Sequence, residues 1–243
     1  KPFAILAAEF QEVLFLDADS VMLQDPTKMF NDTGYLKEGL LLQKDRALHH
    51  GFAKQKLWLT YNLAQPWSEG ITGSEMFQGF TDHQVDSSLL VIDKKRRIFS
   101  LLAACKLNMH EEKQSFYRYF HGDKESFWLG AEMSHETYSF LPHLPGVFGR
   151  FFTDEEDKLC GRQLMFDRFG APLYFNEGVV KDKSKPVGER EIMKVPTHYE
   201  YAGRWWESKE DDRCFFTKGI KFPPKILSRF QLVMNTFQHI DIE

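Results

Sequence analysis

Long apolar runs are missing from this chain. No stretch approaches the length needed to cross a bilayer. No signal peptide is visible, and the chain opens on Lys1-Pro2 rather than Met. The expectation is therefore a segment of a longer protein, with any anchor upstream of Lys1. Cysteine is scarce. Cys105, Cys160 and Cys214 lie far apart and match no metal-ligand spacing, so at most one disulfide forms and the redox compartment stays open. An excess of positive charge is also absent: 31 Lys and Arg face 35 Asp and Glu, for a net charge of −4. No basic field argues for a nucleic-acid partner. Repeats, low-complexity tracts and clear linkers are lacking too. The 243 residues read as one domain over 1–243, long enough for a sizeable core.

Aromatic residues, by contrast, are plentiful at 15%, with 23 Phe. Core packing accounts for most of them, and sugar-stacking surfaces are a further use. The most informative segment is Val13-Leu14-Phe15-Leu16-Asp17-Ala18-Asp19. Its unbroken apolar run predicts a strand covered on both faces, as in a parallel α/β sheet. Asp17 and Asp19 leave the carboxyl end of that strand, where open α/β sheets place their ligands. In an extended segment, positions i and i+2 point the same way. Two carboxylates so placed repel each other unless a positive charge sits between them. A hard divalent ion meets that demand, as does the metal on a nucleotide diphosphate.

Other elements follow from pattern. Lys1–Phe10 suits a short one-faced helix. Leu40–Leu42, Ser88–Asp93 and Leu173–Phe175 read as strands. Ile98, Leu101, Leu102 and Cys105 mark a helix after the basic run Lys94–Arg97, and Ser126–Ala131 marks another. Residues 51–78 read as a loop or short helical excursion, and Pro142–Gly149 as a turn-rich loop. Residues 181–191 read as a polar surface loop, and Glu207–Arg213 as a solvated charge cluster. Asn31-Asp32-Thr33 is an N-glycosylation sequon, a hint of a secretory lumen.

A strand ending in DxD also occurs in haloacid-dehalogenase phosphatases, where one Asp is the phosphoryl nucleophile. Those enzymes use a later acidic pair for Mg²⁺. Here Gly122-Asp123-Lys124-Glu125-Ser126-Phe127 sets Phe127 at the place of the second acid, so the phosphatase is the runner-up chemistry.

The chain resembles the fungal α-mannosyltransferases that extend Golgi mannan chains, and more distantly glycogenin-type transferases. Three blocks carry the resemblance: Phe10–Asp19 through Asp25-Pro26 and Phe30; Gln84–Lys94; and Gly122–Gly130. It implies a GT-A α/β fold, a Rossmann-like mixed sheet flanked by helices, with its first nucleotide-binding strands upstream of Lys1. It further implies GDP-mannose as donor, an α-mannoside glycan as acceptor and Mn²⁺ held by the DxD carboxylates Asp17 and Asp19. The natural protein would be a type II membrane protein of the Golgi with a luminal catalytic part.

By the same resemblance Lys1, Asp17, Asp19, Ser87 and Lys124 face the donor. Asp86, Asp123 and Glu125 belong to the catalytic region around the sugar. Asp123 with Ser126 also reads as a helix cap. Relatives have acid-Ser-Gly where this chain has Asp86-Ser87-Ser88, so Ser88 adds a side chain where a close backbone approach is expected. Glu177 and His198 are candidates for a third metal ligand, although His135, His143 and His198 all lack ligand spacing. Trp128 is a candidate acceptor-stacking ring, and Trp205-Trp206 after Arg204 a candidate acceptor wall. A catalytically silent relative that binds glycan or protein is the alternative of a different class.

Overall fold

The computed structural model describes residues 1–47, 54–152, 155–180, 185–186, 189–201 and 214–240. In chain order, helix α1 (Pro2–Ala7), strand β1 (Glu12–Leu16) and strand β2 (Val21–Met22) lead through a 3-10 segment to α2 (Thr33–Glu38) and β3 (Leu40–Lys44). Helices α3 (Lys54–Asn62), α4 (Glu69–Thr72) and α5 (Glu75–Gln78) precede β4 (Val85–Asp93). Next come α6 (Ile98–Leu107), α7 (His110–Phe116) and α8 (Ser126–Met133). The strands β5 (Ser139–Phe140), β6 (Gly146–Phe152), β7 (Glu155–Phe166), β8 (Pro172–Phe175), β9 (His198–Glu200), β10 (Cys214–Phe216) and β11 (Ile220–Lys221) follow, then helix α9 (Pro224–Ile240). The fold is mixed α/β. No helix among the described residues is long and apolar enough to cross a membrane.

The chain divides into two compact units. The first comprises Lys1–Asp17 and Pro26–Leu144, the second Ala18–Asp25 and Pro145–Glu243. The first unit holds a sheet of order β1-β4-β3-β5. The run Ser88–Asp93 forms the buried centre of β4, all of whose residues are buried. Strands β1 and β3 both pair antiparallel with β4, and only β3 and β5 run parallel. The expected parallel strand at Val13–Leu16 is therefore an antiparallel edge strand, and its apolar residues are half-buried. An unbroken apolar run specifies burial better than strand direction, which is set by the partner. Trp58, Leu90, Leu101, Phe116 and Trp128 lie in its core.

Residues 54–78 carry three short helices, the helical alternative of the loop or short helical excursion expected over 51–78. Ser68 and Ser74 cap two of them, each accepting a backbone N–H with its side chain. The second unit is an antiparallel sheet of order β11-β9-β6-β7-β8-β2, with β10 also on β7. The expected loop at Pro142–Gly149 gives way to β6 from Gly146 onward. Phe148, Phe166, Phe175 and Phe230 form the centre of this unit's core. Most of the expected surface loop 181–191, the charge cluster 207–213 and the Trp205-Trp206 pair lie outside the described residues.

Candidate active site

In the first unit, β1 delivers Asp17. Its ladder with β4 runs to the pair Leu16–Leu89, and the Asp17 N–H then donates to Ser88 O at 2.8 Å. Ala18 and Asp19 follow in a turn, so the carboxylates do not alternate along an extended strand. Lys1 precedes α1 and reaches this strand end. Its Nζ lies 2.8 Å from Asp17 Oδ2 and 2.9 Å from Ser87 Oγ. The Lys1 backbone nitrogen donates to Asp123 Oδ2 at 3.1 Å. Four residues chosen from sequence thus meet at one place; Lys1, Asp17 and Asp123 are partly accessible and Ser87 is buried.

Asp123 is not a side-chain cap. Its carbonyl accepts from the Ser126 N–H while its carboxylate turns to Lys1. Asp86 is buried, and its Oδ1 accepts from both the Ser88 N–H and the Ser88 hydroxyl. The extra side chain of Ser88 is thereby absorbed by its neighbour rather than projected outward. Burial, reinforced by the negative charge of Asp45, pushes the Asp86 carboxyl up to about 6.

Asp45 leaves the end of β3 as Asp17 leaves β1. Burial works against its charge, but Lys124, 2.5 Å away, holds its carboxyl below the ordinary range. Lys124 therefore has a protein carboxylate as its partner. His83 stands beside this pair. Burial, with Lys124 adding to it, lowers the imidazole to about 4, so the ring is neutral at physiological pH.

Two expectations are corrected by burial. Glu125 is 0% exposed, and its carboxylate is fully engaged. Oε1 accepts from the Gln84 N–H at 2.9 Å and Oε2 from the Trp128 indole N–H at 2.7 Å. Glu125 braces the start of α8 against the approach to β4 and does not face a substrate. Its carboxyl is raised to about 7 by burial, against the pull of Lys124. Trp128 is likewise 0% exposed, a core ring rather than an acceptor platform.

The division between the units falls between Asp17 and Ala18. In the second unit, Asp19 lines a cavity of about 620 Å³ with Ser20, Gly178, Val180, Arg190 and Phe237. A side chain at Gly178 would come within 3.7 Å of the Asp19 Cβ, so backbone and acid lie close. The neighbouring turn is pinned by Arg162. Its guanidinium, buried in the sheet, donates to the carbonyls of Glu177, Gly178 and Val180. Glu177 sits in that turn with φ 77°, an uncommon conformation for a residue bearing a side chain. The Glu177 N–H donates to Asn176 Oδ1 at 2.9 Å.

His198 lies in β9. Its Nδ1 is 2.8 Å from Thr197 Oγ1, its ring packs on Phe151, and burial lowers its pKa. Among the described residues, no group of three or more His, Cys, Asp and Glu is disposed to hold a metal ion. Sequence reasoning missed Asp45, whose position at a strand end is the same signal that marked Asp17. It also missed His83 and Arg162, which no local pattern announces.

The family described as "Mannosyltransferase putative" matches residues 1–166. The chain is 25% identical over 230 residues to the alpha-1,3-mannosyltransferase MNT3 of Saccharomyces cerevisiae, covering 81% of this chain and 36% of that protein. It is also 25% identical over 210 residues to the alpha-1,3-mannosyltransferase MNT2 of the same yeast, covering 74% and 36% respectively. The chain thus spans about a third of the length of the curated relatives it matches.

Proposed function

The chain belongs to the mannosyltransferase family that matches it, and from that membership we propose that it carries the donor-binding part of a retaining α-mannosyltransferase with a GT-A fold. The donor is GDP-mannose and the acceptor an α-mannoside, the product an extended glycan of glycoprotein mannan. The observation that carries this reading is the convergence of Lys1, Asp17, Ser87 and Asp123 where β1 ends. An ammonium, a hydroxyl and two carboxylates at one strand end suit a sugar diphosphate better than a peptide or an apolar ligand.

The chemistry follows from the donor's charge. The acceptor hydroxyl attacks the anomeric carbon on the face from which the diphosphate leaves. A C–O bond to the acceptor forms, the C–O bond to phosphate breaks, and the leaving phosphate takes the hydroxyl proton. Lys1 Nζ offsets phosphate charge, Asp123 hydrogen-bonds the transferred sugar, and Asp86 with Ser87 shapes the sugar's bed.

The metal assignment rests on the sequence: the carboxylates of Asp17 and Asp19 in the DxD motif are the oxygen donors a hard divalent ion takes, with Glu177 and His198 as candidate third ligands. Mn²⁺ held there would neutralise the leaving diphosphate. A Golgi address for the whole protein, behind a membrane anchor, completes the reading. It is supported by a disulfide at Cys160 and by Asn31 and Thr33 of the sequon both lying exposed.

Thermal shift on the full-length luminal protein tests the proposal, with GDP, GDP-mannose and UDP-sugars, each with and without Mn²⁺. The expected result is a Mn²⁺-dependent rise with the guanosine compounds, lost in Asp19→Asn, since ligands of the folded state stabilise by mass action. A rise with uridine compounds alone would change the donor. No nucleotide effect would leave a silent binding relative. Stabilisation by fluoroberyllate instead would revive the phosphatase.

A further inference from the structure

Asn31 ends the 3-10 segment Pro26–Asn31, one residue before the cap of α2. Asp32 is that cap. Its Oδ1 accepts from the Gly34 N–H at 2.8 Å and from the Tyr35 N–H at 3.3 Å. Asp32 is 8% exposed, whereas Asn31 and Thr33 on either side of it are exposed. In Asn31-Asp32-Thr33 the middle carboxylate is thus spent on the helix, and the flanking amide and hydroxyl are left to solvent.

The other asparagines differ in both respects. None of Asn62, Asn108, Asn176 and Asn235 has Ser or Thr two positions on. Asn62 Nδ2 donates to Trp58 O at 2.9 Å, and Asn108 Nδ2 to Ala104 O at 2.8 Å. Those amides hold local backbone. The Asn31 amide makes no hydrogen bond among the described residues. A glycan on nitrogen needs an asparagine amide with a hydroxyl residue two positions on, and its bulk must stand at the surface. Asn31 meets these demands. It is not one of the Lys1–Asp17–Ser87–Asp123 cluster, nor does it line the cavity at Asp19. The disulfide at Cys160 is a bond of oxidising compartments, the same compartments in which asparagines are glycosylated.

We propose that Asn31 is the acceptor of an N-linked glycan carried on the first unit. The proposal rests on the luminal address in the reading above. In the modifying step, Asn31 Nδ2 attacks C1 of an oligosaccharide held on a polyprenyl diphosphate by the host's oligosaccharide transferase. The Nδ2–C1 bond forms and the C1–O bond to phosphate breaks. The diphosphate leaves with the electron pair, and Nδ2 gives up one proton to a base of that transferase.

The test reads the tryptic peptide Met29–Lys37 of the full-length protein made in yeast, after peptide-N-glycosidase treatment in heavy-oxygen water. The expected result is a heavy-oxygen label at position 31 that appears only with the glycosidase. Asn31→Gln should remove the label and so should Thr33→Ala, which keeps the amide and deletes only the hydroxyl. Thr33→Ser should restore it at reduced occupancy. All three changes lie at exposed positions and leave the Asp32 cap in place, so the variants should melt close to wild type. A label that persists in Thr33→Ala would overturn the proposal. So would an unlabelled peptide both in the natural protein and in the same protein secreted behind a cleavable signal peptide. A label found only behind the signal peptide would keep Asn31 as an acceptor and sink the luminal address.

Discussion

At the scale of single residues, the first unit keeps an uneasy charge balance. Asp45 is ionised against Lys124, while Asp86 and Glu125 are buried with their carboxyls raised to about 6 and about 7. A carboxylate raised by folding binds its proton more tightly in the native state than in the unfolded chain. Its stabilising contribution is therefore present at low pH and lost as pH climbs from the ordinary carboxylate range through the folded value. His83, lowered to about 4, has the opposite slope, losing stability as pH falls from about 6.5 to 4. The two carboxylates outweigh the one imidazole over most of that window. Glu125→Gln removes one carboxylate term. The stability difference between this variant and wild type should shift by a few kcal/mol in the variant's favour from pH 4.5 to 7.5, read from urea midpoints. A difference independent of pH would mean that Glu125 titrates normally and is not desolvated. The family resemblance put Glu125 near the sugar, as part of the acidic block Asp123–Glu125. It could not reveal that Gln84 and Trp128 consume the carboxylate, since those partners are fixed only by how α8 meets β4. The meeting of Lys1, Asp17 and Asp123 rests on the same kind of long-range placement, between residues far apart in the chain.

At the scale of elements, α6 and α8 pack closely because Gly130 has no side chain. A methyl group there would sit 2.4 Å from Ser100 O and 2.9 Å from Ala104 N, both backbone atoms that cannot swing away. Gly130→Ala should therefore cost about 1–3 kcal/mol despite alanine's better helix propensity. Denaturant unfolding checks it, and a neutral or stabilising result would show that the two helices slide apart freely. The glycine closes the third sequence block, and this contact is a physical reason for it. Strands β3, β4 and β8 were legible from their apolar runs, and α6 from its spacing. Helix α9 was legible too, with Ile226, Leu227, Phe230, Val233, Met234 and Phe237 at helical intervals, and went unread. The long β7 was not legible. It opens Glu155-Glu156-Asp157-Lys158, a pattern of a solvated loop, and is a strand because β6, β8 and β10 all pair with it. The helices of residues 54–78 are too short for periodicity to show; only the serine caps foretell two of them.

At the scale of the molecule, the two units differ in how they are held. Every strand pairing stays within its own unit, and each unit has its own apolar cluster. Residues 18–25 are threaded into the second sheet through β2 on β8, so the division is one of packing rather than of chain order. The cross-link belongs to one side only. Cys160 of β7 is disulfide-bonded, and the register sets Cys214 of β10 opposite it, whereas Cys105 in α6 is a buried free thiol. Closing a long loop removes freedom chiefly from the unfolded chain, so its loss should cost the second unit about 2–4 kcal/mol. The first unit has no such constraint to lose. Under dithiothreitol, hydrogen exchange should then accelerate in β6 and β8 while β4, buried along its whole length, keeps its protection. Equal acceleration in β4 would mean that the two cores unfold as one cooperative block. No change in β6 and β8 would mean that the sheet's own pairing, not the cross-link, holds the second unit.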